Sequence, residues 1–293
     1  MQHKMHTSIR EAKRSPDRRR TGRLLGAVAA VGTAAAYMVW EAQWVRCRCL
    51  DLPVPGLPPA WTGLTILHLS DVHAGLFPGN ERALQKAITW ATPLTPDLVF
   101  LTGDILGARR RSRRCLDLLA HLRPPLGYFA VTGNHEYGLG KGPLAAARYT
   151  KDLWTSVGVT LLQDECVDLP PRGGRSLVVG GADYLSAGFG LLTKPSCNVA
   201  AHAFSLLLIH EPPPTTSPLS ALFDVAFAGH THGGQLRIPG RHGLVPLNEE
   251  SDPRLGGVYD WGEGQLVVSR GIGTSFVPFR LLTPPEATLW RLV

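Results

Sequence analysis

A chain of 293 residues that is 44% apolar and 18% charged lies far from the composition of disordered chains and can bury one sizeable core. Its net charge of +7 is local: residues 1–23 carry eight Lys or Arg against Glu11 and Asp17, a net of +6, which leaves +1 for everything after them. A near-neutral body argues against a phosphate-backbone footprint, so no nucleic-acid partner is expected. The five cysteines (Cys47, Cys49, Cys115, Cys166, Cys197) include no Cys-x-x-Cys pair, which argues against a thiolate metal site.

In chain order, residues 1–23 read as a basic tail. Residues 24–40, Leu24 to Trp40, are an uncharged apolar run of the length that crosses a bilayer as one helix. Ala34-Ala35-Ala36 would suit cleavage, but Tyr37, Met38, Val39 and Trp40 prolong the run, so an uncleaved single anchor is favoured over a cleaved signal. The basic flank belongs in the cytoplasm, which puts the body outside it, although Arg46 and Arg48 on the far side blunt the asymmetry. Residues 41–60, with Pro53, Pro55, Pro58 and Pro59, read as a Pro-rich linker, and residues 61–293 as the body.

From residue 61 onward, short apolar runs end abruptly in clusters of Asp, His, Asn and Gly. Leu64–Ser70 closes on Asp71-Val72-His73, and Asp97–Thr102 on Gly103-Asp104. Tyr128–Thr132 closes on Gly133-Asn134-His135-Glu136, Phe204–Ile209 on His210-Glu211, and Val225–Ala228 on Gly229-His230-Thr231-His232-Gly233-Gly234. Runs of this length fit buried strands. Helices are predicted between them at Glu81 to Trp90, Arg114 to Leu122 and about 143–157. The alternation is that of an α/β fold, in which ligand sites gather at the carboxyl ends of strands.

The donor chemistry is specific. Asp71 with His73, and His230 with His232, stand at i and i+2, which sends both side chains one way if the strand conformation persists. Carboxylate, imidazole and amide oxygen without thiolate suit Mn, Fe or Zn, and seven donors fit two divalent metal ions rather than one. A lone His or a Gly-Asp pair at a strand end is ordinarily a turn or a capping residue. Seven of them at the ends of five runs is not. His68, inside its run, reads as a satisfied interior histidine. Asp183 reads as a turn or supporting residue, Arg270 as a weak phosphate contact, and the Arg109 to Arg114 cluster as a solvated helix entry.

The series Asp71-x-His73, Gly103-Asp104, Gly133-Asn134-His135-Glu136, His210 and Gly229-His230-Thr231-His232 resembles the ordered motifs of the calcineurin-like metallophosphoesterase superfamily. The N-terminal anchor, Ser269-Arg270-Gly271-Ile272-Gly273 and Pro284-Pro285-Glu286 resemble its bacterial membrane-associated or exported subgroup. The resemblance implies a four-layer α/β/β/α sandwich and a phosphate-ester hydrolase, with a lipid-linked substrate such as UDP-2,3-diacylglucosamine as one option. It assigns one cation to Asp71, His73, Asp104 and His232. The second goes to Asp104, Asn134, His210 and His230, and His135 is the catalytic residue, which protonates the leaving oxygen or steadies the transition state. Gly107 stands where many relatives carry the Asp that orients this histidine, which leaves the partner of His135 open and makes phosphoprotein substrates less expected. The competing expectation is a non-catalytic metal-binding scaffold on the same fold, signalled by a lost ligand. No ligand is missing.

Overall fold

The computed structural model describes residues 18–107, 112–138, 151–186, 191, 204–240, 243–246 and 252–293. The chain divides after Tyr37 into two units. In the first lies most of α1 (Arg18–Glu41). Within α1, Gly22–Glu41 is long and apolar enough to cross a membrane, with a mean hydropathy of 1.4. Its Leu24, Leu25, Val28 and Val31 are exposed, which is the profile of a helix with no protein partner on those faces.

The second unit is built on two six-stranded sheets. The first runs β1 (Arg46–Leu52), β14 (Glu286–Leu292), β2 (Thr65–Leu69), β3 (Leu98–Thr102), β4 (Gly127–Val131) and β5 (Thr160–Leu161). β2 to β5 are mutually parallel, β14 is antiparallel to β2, and β1 is parallel to β14. The second sheet runs β12 (Gly257–Trp261), β13 (Gly264–Val268), β9 (Val225–Ala228), β8 (Ser205–Leu208), β7 (Arg175–Gly181) and β6 (Glu165–Arg172). A separate hairpin joins β10 (Arg237–Gly240) to β11 (Gly243–Pro246).

The two sheets face each other across a dry layer. Ile66, Leu98, Phe100 and Phe129 from the first sheet meet Val179, Leu206, Leu208, Phe227 and Val267 from the second, all buried. On the outer face of the first sheet lie α2 (Pro78–Ala91), α3 (Ser112–Leu119) and α4 (Lys151–Thr155). Pro78 starts α2 because its missing N–H would be unpaired there anyway. Ala83, Leu84, Ala87, Ile88 and Ala91 recur at helical spacing and fill the interface with Leu67, Leu69, Val99 and Leu101. The outer face of the second sheet is covered, among the described residues, by the 3₁₀ turn Pro218–Ala221 with Leu191, Phe223 and Trp261.

One expectation needs correction. The linker assigned to residues 41–60 contains β1, whose Arg46, Cys47, Arg48 and Cys49 pair with Glu286, Ala287, Thr288 and Leu289. An edge strand needs one covered face only, so it carries no continuous apolar run to betray it. The five polar-ended strands divide between the two sheets that the expected sandwich requires, β2, β3 and β4 in one and β8 and β9 in the other. The predicted helix at 143–157 is seen only as Lys151–Thr155, its first half lying outside the described residues, as do Arg109, Arg110 and Arg111.

Candidate metal centre

The seven predicted donors come together at the edge where β2, β3, β4, β8 and β9 all end. They do so in a conformation the sequence did not suggest. Asp71, His73, Asp104, His230 and His232 all have positive φ, between 47° and 69°. Left-handed backbone costs about 1 kcal/mol or more at a side-chain-bearing residue and gathers at functional sites. Asp71 and His73 therefore meet through twisted turns and not through persisting strand, while His230 and His232 turn toward different donor groups.

One group is Asp71, His73 and His232. His73 Nε2 and His232 Nε2 are 2.9 Å apart, and Asp71 Oδ1 is 4.0 Å from the first and 3.5 Å from the second. The other is Asp104, Asn134, His210 and His230. His210 Nε2 lies 3.5 Å from Asp104 Oδ2, 3.2 Å from Asn134 Oδ1 and 3.1 Å from His230 Nδ1. Asp104 joins them, because its Oδ2 is also 3.6 Å from His73 Nε2.

These residues fit cations. Asp71 Oδ1 and His73 Nδ1 are buried with no hydrogen-bond partner. Donor atoms of Asp71, His73 and His232, and of Asp71, Asp104 and His210, lie within 4.8 Å of one another. A Cβ on Gly103 would strike His210, one on Gly133 would strike Asp104, and one on Gly229 would strike Ser70 and Asp71. Those glycines let three strand ends close on the donors. Burial pushes His73 down to about 3 and His230 to about 4, and takes His232 well below the usual histidine range, so these imidazoles are neutral as ligands must be. Burial opposes a charge on His210 too, yet Asp104 pushes it up to about 10, while His210 chiefly offsets the burial cost of Asp104 and holds that carboxyl well below its usual range. The positive charge this pair demands is what a cation would supply.

Supporting residues mostly act through the backbone. His210 Nδ1 bonds the Thr102 carbonyl at 2.8 Å, which fixes the ring and aims Nε2 at Asp104. Glu211 Oε1 is 3.5 Å from His230 Nε2. Asn80, near the start of α2, donates to the carbonyls of His73 and Thr274 and accepts from Thr274. Buried Glu136 accepts from the N–H groups of Asp104, Ile105, Leu106 and Gly133 at 2.8–3.0 Å, tying the β3 and β4 ends together. Glu136→Ala would strand those four donors. At about 1 kcal/mol or more for each buried unsatisfied group, stability should fall by roughly 4 kcal/mol or more, read as a lower urea midpoint.

His135 is almost fully buried against His73, with ring centroids 4.5 Å apart. Its N–H donates to Asp104 Oδ1 at 2.8 Å, its Nε2 is 3.9 Å from Asp104 Oδ2, and its Nδ1 has no hydrogen-bond partner. A Cβ on Gly107 would press on His73 and Ala74, so that position has no room for an orienting carboxylate. His68 is buried, bonds Thr102 Oγ1 at 2.9 Å and is pushed down to about 3 by burial, an interior histidine as expected. Asp183 accepts from Thr132 and Tyr137, and Arg270 lies beside Glu286.

Residues 64–234, which carry this strand-end cluster, match the profile of the calcineurin-like phosphoesterases. The chain belongs to the calcineurin-like phosphoesterase family, whose members depend on metals, and it is a hydrolase. It is 29% identical to the metallophosphoesterase YkuE of Bacillus subtilis, over 80% of this chain and 81% of that one. It is 31% identical to the phosphodiesterase YaeI of Escherichia coli, over 78% of this chain and 82% of the relative. A zebrafish relative called a transmembrane protein with a metallophosphoesterase domain is 29% identical, and the match spans 96% of this chain but 64% of that protein.

Proposed function

We propose that the protein is a dinuclear metal-dependent phosphoesterase, attached to the membrane by α1, that prefers diester or pyrophosphate bonds in lipid-linked substrates such as UDP-2,3-diacylglucosamine. The observation that carries the dinuclear reading is the meeting of two donor groups at one carboxylate, Asp104. Asp71, His73, Asp104 and His232 would hold one cation, and Asp104, Asn134, His210 and His230 the other. Bound there, two divalent ions (Mn, Fe or Zn) would activate water and offset the charge on phosphate oxygens. Asp104 holds the two halves in register. Asn134 contributes a neutral oxygen beside His210, and His135 delivers a proton to the departing oxygen from the face it shares with His73.

The diester preference is favoured by the name of the Escherichia coli relative, and membrane attachment by the apolar helix and the name of the zebrafish relative. The test is turnover by the full-length chain in detergent, with Mn²⁺, of p-nitrophenyl phosphate, bis-p-nitrophenyl phosphate and UDP-2,3-diacylglucosamine. Chelation should abolish all turnover, and the last two substrates should be preferred. No turnover of any of them by protein holding two ions would favour the scaffold reading.

We infer that the body lies outside the cytoplasm; the basic flank of α1 supports this reading, and so does the disulfide at Cys166, a bond suited to an oxidising compartment. Alkaline phosphatase fused after Val293 should be active, whereas activity of a cytoplasm-specific reporter alone would reverse the assignment.

A further inference from the structure

We propose that Glu41 is a positioning residue of the metal centre, holding its His232 half in place through the segment from Arg280 to Thr283. The inference rests on the dinuclear reading. It starts from an anomaly: Glu41 is the last residue of α1, where the negative end of the helix dipole disfavours a carboxylate, and it is fully buried, which disfavours a charge again. Its two oxygens are both used. Oε2 accepts from the Leu282 N–H at 2.9 Å and Oε1 from the Thr283 N–H at 2.6 Å. The Arg280 N–H donates to the Met38 carbonyl at 3.1 Å, so the last turn of the helix grips this segment twice. Leu282 has a φ of 56°, a strained value that the two bonds around it sustain.

The same segment grips the donors. Arg280, fully buried, donates through Nη1 to the carbonyls of His232 and Thr283, both at 3.1 Å. Its Nη2 donates to Arg270, Gly271 and Gly273 at 2.6–3.2 Å, and lies 3.5 Å from His232 Nδ1. Thr283 Oγ1 donates to the Gly233 carbonyl at 3.2 Å. The loop at 270–273 lies directly on Asp71 and Val72, since a Cβ on Gly271 or Gly273 would strike them. The paths from Glu41 therefore end on Asp71 and His232 or on their chain neighbours Val72 and Gly233, nearest the half of the centre that His232 belongs to. A buried guanidinium also needs opposite charge nearby, and Glu41, Asp71 and Glu286 provide it.

The experiment titrates Mn²⁺ into the full-length chain in detergent by calorimetry, for the wild type, Glu41→Ala, Glu41→Gln, Thr283→Val and, as a comparison, Leu64→Ala at the opposite end of β2. Residues that orient ligands from behind typically cost about 10-fold to 100-fold in metal affinity when removed. The expected result is a loss of about tenfold for one ion in the Glu41 variants and Thr283→Val, with the other ion within about twofold of wild type. Leu64→Ala should lower thermal stability and leave both affinities unchanged, because a core cavity acts on folding and not on the donors. Wild-type affinity for both ions in folded Glu41 and Thr283 variants overturns the proposal. If Glu41→Ala fails to fold, Glu41→Gln and Thr283→Val decide, and failure of all three to fold makes Glu41 a folding residue only and likewise overturns it. A wild type that binds no Mn²⁺ sinks the metal centre itself, a different failure.

Discussion

Asp104→Ala should remove both cations and lower turnover by about 10³-fold or more, because metal charge stabilisation supplies several kcal/mol and each 1.36 kcal/mol is a factor of ten. Three facts set Asp104 apart. Its Oδ2 faces both donor groups, His73 at 3.6 Å and His210 at 3.5 Å. Its Oδ1 accepts from the His135 N–H, so the same side chain also seats the expected acid. Burial opposes a charge on His210, and the negative charge of Asp104 is what pushes that imidazole up regardless. Asn134→Ala touches one group only and should cost one ion and less activity. Asp104→Asn separates charge from shape, since the amide oxygen can still receive the His135 N–H. Metal analysis after dialysis decides, and two tightly held ions with near-normal turnover in the alanine variant would end the dinuclear reading.

His135→Gln should keep both ions and lose about 10²–10⁴-fold in turnover, the usual worth of a positioned proton donor. The structure gives this expectation a sharp alternative, because donor atoms of His73, Asp104 and His135 also lie within ligand distance of one another. A ligand role predicts metal loss. A proton-donor role predicts retention, together with a smaller loss on a p-nitrophenyl ester than on an alkyl ester, whose leaving oxygen needs the proton more. Equal losses on both esters would reduce His135 to an electrostatic contribution.

Much of the candidate site could be read from the sequence because its donors sit where apolar runs stop. Val225–Ala228 was delimited residue for residue, and Leu64–Ser70 is β2 with one residue to spare at each end. Less legible was whatever acts on main-chain atoms. Glu41 meets Thr283 across 242 positions and Asn80 meets Thr274 across 194, and a carboxylate or amide that bonds backbone leaves no partner residue type to recognise. Arg280 carries no motif either, although it reaches five carbonyls. The i and i+2 spacing holds for Asp71 and His73, which share one group, but not for His230 and His232, which face different groups, since the left-handed turns at these residues cannot be inferred from alternation. β1 escaped notice because Arg46-Cys47-Arg48-Cys49 reads as polar edge.

β14 lies between β1 and β2, opposing Thr288 to His68 and Arg46 to Glu286. During synthesis β1 and β2 emerge early and wait, side by side with a gap, for a strand made more than two hundred residues later. Until it arrives, two ladder edges stay open to strangers, a state prone to aggregation. A ribosome stalled or a chain clipped before Glu286 would thus yield a body whose first sheet cannot close. Folding of the body should accordingly depend on holding factors that cover these edges until β14 is made.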